Sequence, residues 1–284
     1  MELAPSGFFD SSSLKGSIVF ITSLQNQHVK ELLKLRDSKG RREQKRFLVE
    51  GAREVGRALL SGYKPSEIWF SRDVLSSSSS VIINSAQNTN LIEVSQNVFS
   101  KLAVREDKDG IIAVFPVQRR QLSEFKREAK GGLLMVVQGL EKPGNFGAML
   151  RTADGLGVTA VIVLDSSSDI WSPIAIRTSL GTIFSIPVFE SSSLDFLSFV
   201  RQEGFKTYAA LLDAKAQSVF DTKFEPKSAI LMGAEDTGLS DFWVENADVS
   251  IVIPMYGIAD SFNVSVAASL ILFEAKRQSH KTEA

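Results

Sequence analysis

Short apolar runs alternate with segments of helical periodicity through the second half of the chain. The apolar runs that predict strands lie at 133–137, 158–164, 186–188, 207–211, 229–232 and 249–253. The segments that predict helices lie at 145–156, 194–201 and 263–278, and Ser172-Pro173 provides an N-cap and a first-turn proline for another helix. Strands that alternate with helices imply a mostly parallel sheet with helices on both faces, so this half is predicted to be an α/β domain.

The first half has a less regular pattern, which predicts a smaller α/β unit. Helices are expected at 23–36 and 52–61, strands at 47–51, 68–70, 92–94 and 111–115, and a loop at 76–80. A charged segment before Gly131-Gly132 is the expected linker. The predicted layout is a frayed lead-in at 1–22, a first domain at 23–117, a linker at 118–130 and a second domain at 131–284.

The composition excludes several kinds of chemistry. The 284 residues include no Cys and only two His, His28 and His280. A disulfide framework, a zinc ribbon, a thiol nucleophile, a His-based triad and a His metal cluster are therefore not expected. No apolar run reaches the ~18 residues that a membrane helix needs, and the first residues lack the pattern of a secretory leader. We expect a cytoplasmic protein, with an organelle as the alternative, and with no metal and no membrane partner.

The two halves of the chain carry opposite net charge. Residues 1–129 hold 20 Lys and Arg against 15 Asp and Glu, whereas 130–284 hold 12 against 18. The basic excess is concentrated at 30–57, with ten cationic and five anionic side chains. Two interpretations are open at this point: the first half binds a polyanion, or a basic helix simply has a solvated face.

Two glycine-rich segments resemble nucleotide-binding loops but lack the features that such loops need. Gly155–Ala160 has the spacing of a dinucleotide fingerprint, but it ends a helix and precedes a strand, which is the reverse of the required order. Gly233–Ser240 has the spacing of a phosphate-binding loop, but Leu239 replaces the essential lysine, and Glu235 and Asp236 would repel a triphosphate. Neither segment predicts a nucleotide site.

A more informative segment runs from Lys142 to Ala153, with the sequence KPGNFGAMLRTA. Pro and Gly predict a turn at the carboxyl end of a strand, and Asn145 is expected to cap the following helix. Arg151 then lies inside a helix of small and apolar residues, where a cation is costly unless it pairs with an anion. That anion is a ligand or, alternatively, an acidic side chain of the protein.

Two later segments are similar to this one, since each joins a strand to a helix through a polar loop. The first is LMGAEDTGLS, which ends at Ser240, and the second is IPMYG followed by DSFNVSVAA, which begins at Ile253. The second enters a final helix that is apolar on nearly all sides. Such a helix is buried against the sheet or against a second subunit.

Together and in this order, the three motif segments resemble the SpoU–TrmH family of RNA 2′-O-ribose methyltransferases, within the SPOUT class. The family pattern is N-x-G-A-x-x-R-T-A, then G-x-E-x-x-G-L-S, then I-P-M-x-G followed by S-L-N-V-S-x-A, and it matches at nearly every position over about 140 residues. The chain departs from the pattern at Lys142, where Asp commonly precedes the proline, and at Phe262, where Leu is usual. The run from Ser23 to Gly51 is similar, more loosely, to the L30-like substrate-binding domain that precedes the catalytic domain in many rRNA-modifying members.

The resemblance implies a C-terminal part threaded as a trefoil knot, an arrangement that is rare among proteins. It also implies that S-adenosylmethionine is the cofactor, bound in a bent form largely through backbone groups. The expected cofactor-binding residues are Met232, Gly233, Ile253, Met255 and Phe262. Family members are usually dimers, so a homodimer is expected.

The reaction that the resemblance implies is attack of a ribose 2′-hydroxyl on the methyl carbon of the cofactor. It gives Arg151 the central role, with Asn145, Glu235, Ser261 and Asn263 completing the site. Because the pKa of a guanidinium exceeds ~12, we expect Arg151 to bind an RNA phosphate and stabilise the developing alkoxide rather than to act as a base.

The substrate is expected to be structured RNA, with rRNA favoured over tRNA because of the first domain. The expected RNA contacts of that domain are Arg41, Arg42, Lys45 and Arg46. A non-catalytic RNA-binding protein with the same fold is the main alternative from another functional class. It would be expected to have lost the site residues, all of which this chain retains.

Overall fold

A computed structural model describes residues 18–86, 89–104, 109–125, 132–139, 141–165, 169–213 and 215–282. The contacts divide the chain into two compact units. Unit 1 comprises Met1–Val117 and Trp171–Phe184, and unit 2 comprises Gln118–Ile170 and Ser185–Ala284. Of the predicted lead-in, residues 1–17 lie outside the described residues, as do residues 126–130 of the predicted linker.

In chain order, the helices and strands are β1 (Val19–Ile21), α1 (Gln27–Lys34), α2 (Ser38–Gln44), β2 (Arg46–Glu50), α3 (Ala52–Leu60), β3 (Glu67–Phe70), α4 (Ser77–Ser85), β4 (Asn90–Val94), α5 (Gln96–Leu102), β5 (Ile111–Pro116), β6 (Gly132–Gln138), α6 (Pro143–Gly155), β7 (Ala160–Leu164), α7 (Pro173–Thr178), β8 (Val188–Ser191), α8 (Ser193–Glu203), β9 (Lys206–Ala210), β10 (Gln217–Ser218), β11 (Lys227–Met232), α9 (Asp241–Asn246), β12 (Val249–Val252) and α10 (Val264–Thr282). Short 3-10 helices lie at Arg72–Val74, Leu122–Glu124 and Thr182–Phe184.

Unit 1 is built on a mixed sheet whose described strands have the order β1-β4-β3-β5-β2. β3 pairs in parallel with β4 and antiparallel with β5. Consecutive residues of β2 point to opposite faces, as the period of a strand requires. Leu48 belongs to the core that α1 and α5 cover, whereas Phe47 stacks on Trp171 with 4.4 Å between ring centroids. The sheet of unit 1 is therefore buried on both faces.

Unit 2 is built on a parallel sheet, as the alternation of strands and helices predicts. Its described strands have the order β10-β12-β9-β11-β6-β7-β8, and every neighbouring pair is parallel. The central strands read as continuous apolar runs because both faces of the sheet are buried. Residues of β7 illustrate this, since all five are buried.

Helices cover both faces of this sheet. On one face, Phe196 of α8 and Trp243 of α9 pack against strand residues such as Leu134 and Val136. On the other face, α10 contacts β6, β11 and α6. A hydrogen bond of 2.8 Å between the Thr152 and Ser269 hydroxyls joins α6 to α10. The predicted α/β architecture of the second half is confirmed.

Several local predictions are wrong. The segment 76–80, expected to be a loop, begins α4, because the Ser76 hydroxyl accepts a hydrogen bond from the Ser79 amide and caps the helix. Val19–Ile21, placed in the frayed lead-in, forms β1 and pairs with β4. Asn145, expected to cap α6, lies in its first turn, because the helix begins at Pro143 and Lys142 is the N-cap residue.

The contact pattern also differs from the predicted layout at two segments. Phe125, placed in the linker, packs edge-on against the rings of Phe189 and Phe199 in unit 2. Trp171–Phe184, placed inside the second domain, belongs to unit 1. Among the described residues, no helix is both long and apolar enough to cross a membrane.

Candidate active site

A cavity of about 540 Å³ opens in unit 2, where β9, β11 and β12 end. The carboxyl ends of neighbouring parallel strands meet at one edge of a sheet, which is the usual place for a ligand in this architecture. The residues that line the cavity are Ala210–Asp213, Met232–Leu239, Val244, Ile251, Ile253, Met255, Ser261–Val264, Ala267 and Ile271. Most of these side chains are apolar, and the polar ones come chiefly from the second and third motif segments.

The five residues expected to bind the cofactor all line this cavity, at Met232, Gly233, Ile253, Met255 and Phe262. Sequence reasoning missed one wall, the segment Ala210–Asp213 that follows β9. Its only signal was its position after a buried strand. A parallel strand that ends between two loops of the site must itself contribute a loop there.

Gly233 is required by the close approach of two backbone segments beside the cavity. A Cβ atom at this position would lie 2.1 Å from the carbonyl carbon of Gly238. The loop is closed by two hydrogen bonds, from the Ala234 amide to the Gly238 carbonyl at 3.0 Å and from the Gly238 amide to the Ala234 carbonyl at 3.1 Å. Gly233 therefore shapes the wall with its backbone, as the resemblance implies.

Glu235 joins the three motif segments at the edge of the cavity. Its carboxylate accepts hydrogen bonds from the side-chain amides of Asn145 and, at 2.9 Å, Asn263. Asn263 also donates to the Asn145 side-chain oxygen at 3.4 Å and accepts at 2.6 Å from the Ser265 hydroxyl. Three of the predicted site residues thus form one hydrogen-bonded group, although they lie far apart in the sequence.

Acidic and basic side chains of two facing loops pair beside this group. Lys142 forms an ion pair with Glu235, whose hydrogen bond and negative charge raise the pKa of Lys142. A hydrogen bond with Asp236 raises the pKa of Glu141, and the same contact lowers the pKa of Asp236. Consecutive residues before α6 therefore face consecutive residues after β11.

Arg151 does not have the surroundings that the sequence predicts. Its side chain is exposed and is not part of the cavity lining, because the buried face of α6 is formed by other positions, including Leu150 and Ala153. It forms no ion pair or side-chain hydrogen bond within the described part of the chain. The argument that Arg151 needs an anion because it is buried is therefore wrong, and the alternative of a salt bridge to an acidic side chain is not observed among these residues.

Ser261 and Asn263 flank the remaining part of the site. Both line the cavity, and both belong to the exposed segment that leads into α10. Asn263 accepts a hydrogen bond of 3.0 Å from the Ser265 amide, which satisfies a free amide at the start of α10. The structure thus brings four of the five expected catalytic residues to the cavity edge and places Arg151 further along α6.

The four basic residues expected to contact RNA differ in their surroundings. Arg41 is only 4% exposed, and its guanidinium donates to the carbonyls of Leu35 at 2.6 Å and Arg36 at 2.7 Å. The prediction that Arg41 contacts RNA is therefore wrong, because its donors are used inside the protein. Arg46 is partly engaged, since it pairs with Glu67 at 2.8 Å. Arg42 and Lys45 are exposed.

The cavity has the properties that S-adenosylmethionine needs. Its volume lies in the range of about 300–1,000 Å³ that is typical of small-molecule sites. Met232, Leu239 and Ile251 provide apolar surface for a neutral adenine ring. Carboxylates, amides and hydroxyls along one edge provide partners for a charged amino-acid group. Within the described residues, no group of three or more acidic or His side chains could hold a metal ion.

Two family matches account for most of the chain. Residues 132–273 match the SpoU rRNA methylase family, and residues 26–113 match the MRM3-like substrate-binding domain. A curated relative is the 23S rRNA (guanosine(2553)-2′-O)-methyltransferase of Bacillus subtilis, 28% identical over 256 residues that cover 90% of this chain and 98% of the relative.

Two further comparisons are with a tRNA methyltransferase and with a solved rRNA methyltransferase structure. The tRNA (guanosine(18)-2′-O)-methyltransferase of Thermus thermophilus is 34% identical over 162 residues, which cover 57% of this chain and 82% of the relative. The crystal structure of an rRNA methyltransferase from Sinorhizobium meliloti with AdoMet bound has a TM-score of 0.83 and 28% identity, and covers 92% of this chain and 98% of that one.

The first family match spans half of the chain and contains the whole hydrogen-bonded group around Glu235 together with the lining of the cavity. The second match lies within unit 1. On these grounds, the chain belongs to the SpoU rRNA methylase family.

Proposed function

We propose that this protein transfers a methyl group from S-adenosylmethionine to the 2′-hydroxyl of a ribose in rRNA. The observation that carries the proposal is the placement of Asn145, Glu235 and Asn263 in one hydrogen-bonded group at the edge of a cavity suited to the cofactor. When bound, the cofactor supplies a methyl group activated by a positively charged sulfur. The protein then has to align the ribose and stabilise the negative charge on its oxygen.

The proposed cofactor-binding residues are Met232, Gly233, Ile253, Met255 and Phe262. Their support is that each lines the cavity, and that Gly233 leaves backbone surface uncovered by a side chain. Phe262, the departure from the usual Leu, is 40% exposed and enlarges the apolar surface at the cavity mouth.

Arg151 is proposed to bind the RNA rather than the cofactor. An exposed guanidinium with no partner within the described residues is free to hold a phosphate beside the target ribose. As a permanent cation, it stabilises the negative charge that develops on the ribose oxygen when the proton leaves. Asn145, Glu235, Ser261 and Asn263 orient the reacting groups at the cavity edge.

Unit 1 is proposed to bind the RNA substrate, with 23–117 as the substrate-binding domain and 131–284 as the catalytic domain. Its support is the substrate-binding family match and the exposed cations Arg42 and Lys45. The Bacillus relative, which modifies 23S rRNA, matches 90% of the chain, whereas the Thermus relative, which modifies tRNA, matches 57%. This difference favours rRNA as the substrate.

A homodimer is part of the proposal. Val266, Leu270 and Phe273 lie on one face of α10 and are 44%, 43% and 59% exposed, which leaves an apolar stripe on a helix of unit 2. A second copy would bury this stripe. The trefoil knot and the cytoplasmic location also belong to the proposal, on the basis of family membership.

The proposed activity is tested with the purified protein, methyl-labelled S-adenosylmethionine and two probes, a 23S rRNA transcript and unmodified tRNA. The expected result is label in 2′-O-methylnucleosides of the rRNA after nuclease digestion and mass spectrometry. Label on a base, or no label in either RNA, would contradict the proposal. Label in tRNA alone would move the substrate to tRNA and retain the reaction.

A further inference from the structure

Lys142 and Glu235 form a contact for which the shared family pattern does not account. Lys142 stands where Asp commonly precedes the proline, so a cation replaces an anion next to Glu235. Two carboxylates in contact would repel each other, whereas the Lys142 ammonium and the Glu235 carboxylate attract each other. The residue therefore changes the electrostatics of the group that joins the three segments.

The backbone conformation of Lys142 is restricted by its place at the start of α6. It is the N-cap residue of α6, with φ −99° and ψ 110°, and the following Pro143 disfavours any helical conformation at its position. The side chain of Lys142 thus leaves a fixed point and reaches the neighbouring loop at Glu235.

The exposure of the two partners differs. The Glu235 side chain is 20% exposed, and its carboxylate also accepts from Asn145 and Asn263, whereas the Lys142 side chain is 66% exposed. Lys142 therefore covers the solvent side of a carboxylate whose other contacts are amides. Within the described residues, Lys142 is the cationic side chain that pairs with the Glu235 carboxylate.

We propose that Lys142 is a positioning residue for methyl transfer: it holds the Glu235 carboxylate against Asn145 and Asn263 when a polyanionic RNA strand approaches. Without the ammonium group, phosphate and carboxylate repel, and the side chain that joins the three segments turns away from the two amides. This inference rests on the proposed function for its kinetic consequence. Its structural consequence does not depend on any activity.

The structural test is hydrogen exchange in the protein without ligands, at the amides of Ala234 and Gly238 that close the Glu235 loop. Lys142→Met is expected to speed exchange about two- to fivefold, the effect of losing an exposed ion pair. Lys142→Arg is expected to restore the slow rate. Lys223→Met, which removes an exposed lysine of the same unit, is the matched control and is expected to change nothing.

The kinetic test uses methyl transfer to rRNA. Lys142→Met is expected to lower kcat about tenfold, because small displacements of an aligned group are costly, with the KM for S-adenosylmethionine and the melting temperature unchanged. Lys142→Arg is expected to recover most of the rate. In a Glu235→Gln background, which has no carboxylate to hold, Lys142→Met is expected to have no further effect on the residual rate.

The outcomes separate the two proposals. Unchanged hydrogen exchange and unchanged kcat in Lys142→Met would overturn the role of Lys142. The role would also be overturned if Lys142→Met lowered kcat by the same factor in the unmodified protein and in the Glu235→Gln background. No transfer by the unmodified protein would refute the proposed function alone, because the exchange experiment would still report whether Lys142 holds the loop.

Discussion

Arg41 and Arg42 are adjacent in α2, yet the structure predicts opposite consequences for their removal. Arg41→Ala deletes a buried guanidinium that donates to the carbonyls of Leu35 and Arg36, just beyond the end of α1. Arg42→Ala deletes an exposed side chain. The pair therefore separates a structural cation from a proposed RNA contact.

The magnitude follows from the hydrogen bonds that are lost. A hydrogen bond to a charged group contributes about 1.5–3 kcal/mol, and a carbonyl left unsatisfied adds its own desolvation cost. Two such bonds give about 3–6 kcal/mol for Arg41→Ala, a large part of the roughly 5–15 kcal/mol that stabilises a typical domain. Arg42→Ala is expected to change stability by no more than about 0.5 kcal/mol.

The assay has two readouts for each variant. Urea unfolding followed by tryptophan fluorescence reports on both units, because Trp69 and Trp171 are buried in unit 1 and Trp243 in unit 2. The loss of stability in Arg41→Ala is expected in the transition of unit 1. The salt dependence of rRNA binding reports on phosphate contacts, and Arg42→Ala is expected to reduce the slope of log K against log[salt] by about 0.7–0.9. An Arg41→Ala protein of normal stability with a reduced salt slope would refute this reasoning, since Arg41 would then be an RNA contact.

Three further changes have defined outcomes. Gly233→Ala is expected to weaken S-adenosylmethionine binding by about tenfold or more in calorimetry, because its Cβ would lie 2.1 Å from Gly238; unchanged affinity would contradict the close approach. Burial raises the pKa of Asp165, but hydrogen bonds from Ser193 and Gln138 outweigh it, so the pKa lies below the ordinary 3.8. Its stabilising contribution is present above that value and is lost as the pH falls through the lowered pKa, so Asp165→Asn is expected to be less stable at pH 7, with a difference that shrinks below about pH 4 in thermal melts. A difference in melting temperature that does not change with pH would show that the charge of the Asp165 carboxylate does not stabilise the protein. Phe273→Asp is expected to convert the proposed dimer to a monomer in light scattering, whereas Leu194→Asp, at another exposed apolar position of unit 2, is not.

The regular part of unit 2 was predictable because its strands are buried on both faces. Such strands appear in the sequence as continuous apolar runs, as at 160–164. Helices without an apolar stripe were not predictable in this way. The serine-rich α4 has little amphipathic pattern, and its start depends on a cap by Ser76 that resembles any serine in a loop.

Most residues of the candidate site were predictable from the three motif segments, which the fold brings to the cavity and its edge. From residue type alone, a position was predictable only where that type has one structural use. Gly233 is such a case, since a close backbone approach requires glycine. The burial of Arg41 and the exposure of Arg42 depend on how α2 packs, which a run of basic residues does not encode. The contact of Lys142 with Glu235 joins residues 93 positions apart, so no local pattern indicates it.

The most direct test of the proposed activity is a map of 2′-O-methylated riboses in rRNA from cells that lack this gene. The cells are complemented with the unmodified protein or with Arg151→Ala, whose cofactor affinity is checked by calorimetry. The expected result is the loss of methylation at a defined ribose, its return with the unmodified protein, and no return with Arg151→Ala despite normal cofactor binding. An unchanged rRNA map, or full methylation by Arg151→Ala, would contradict the reaction or the role of Arg151.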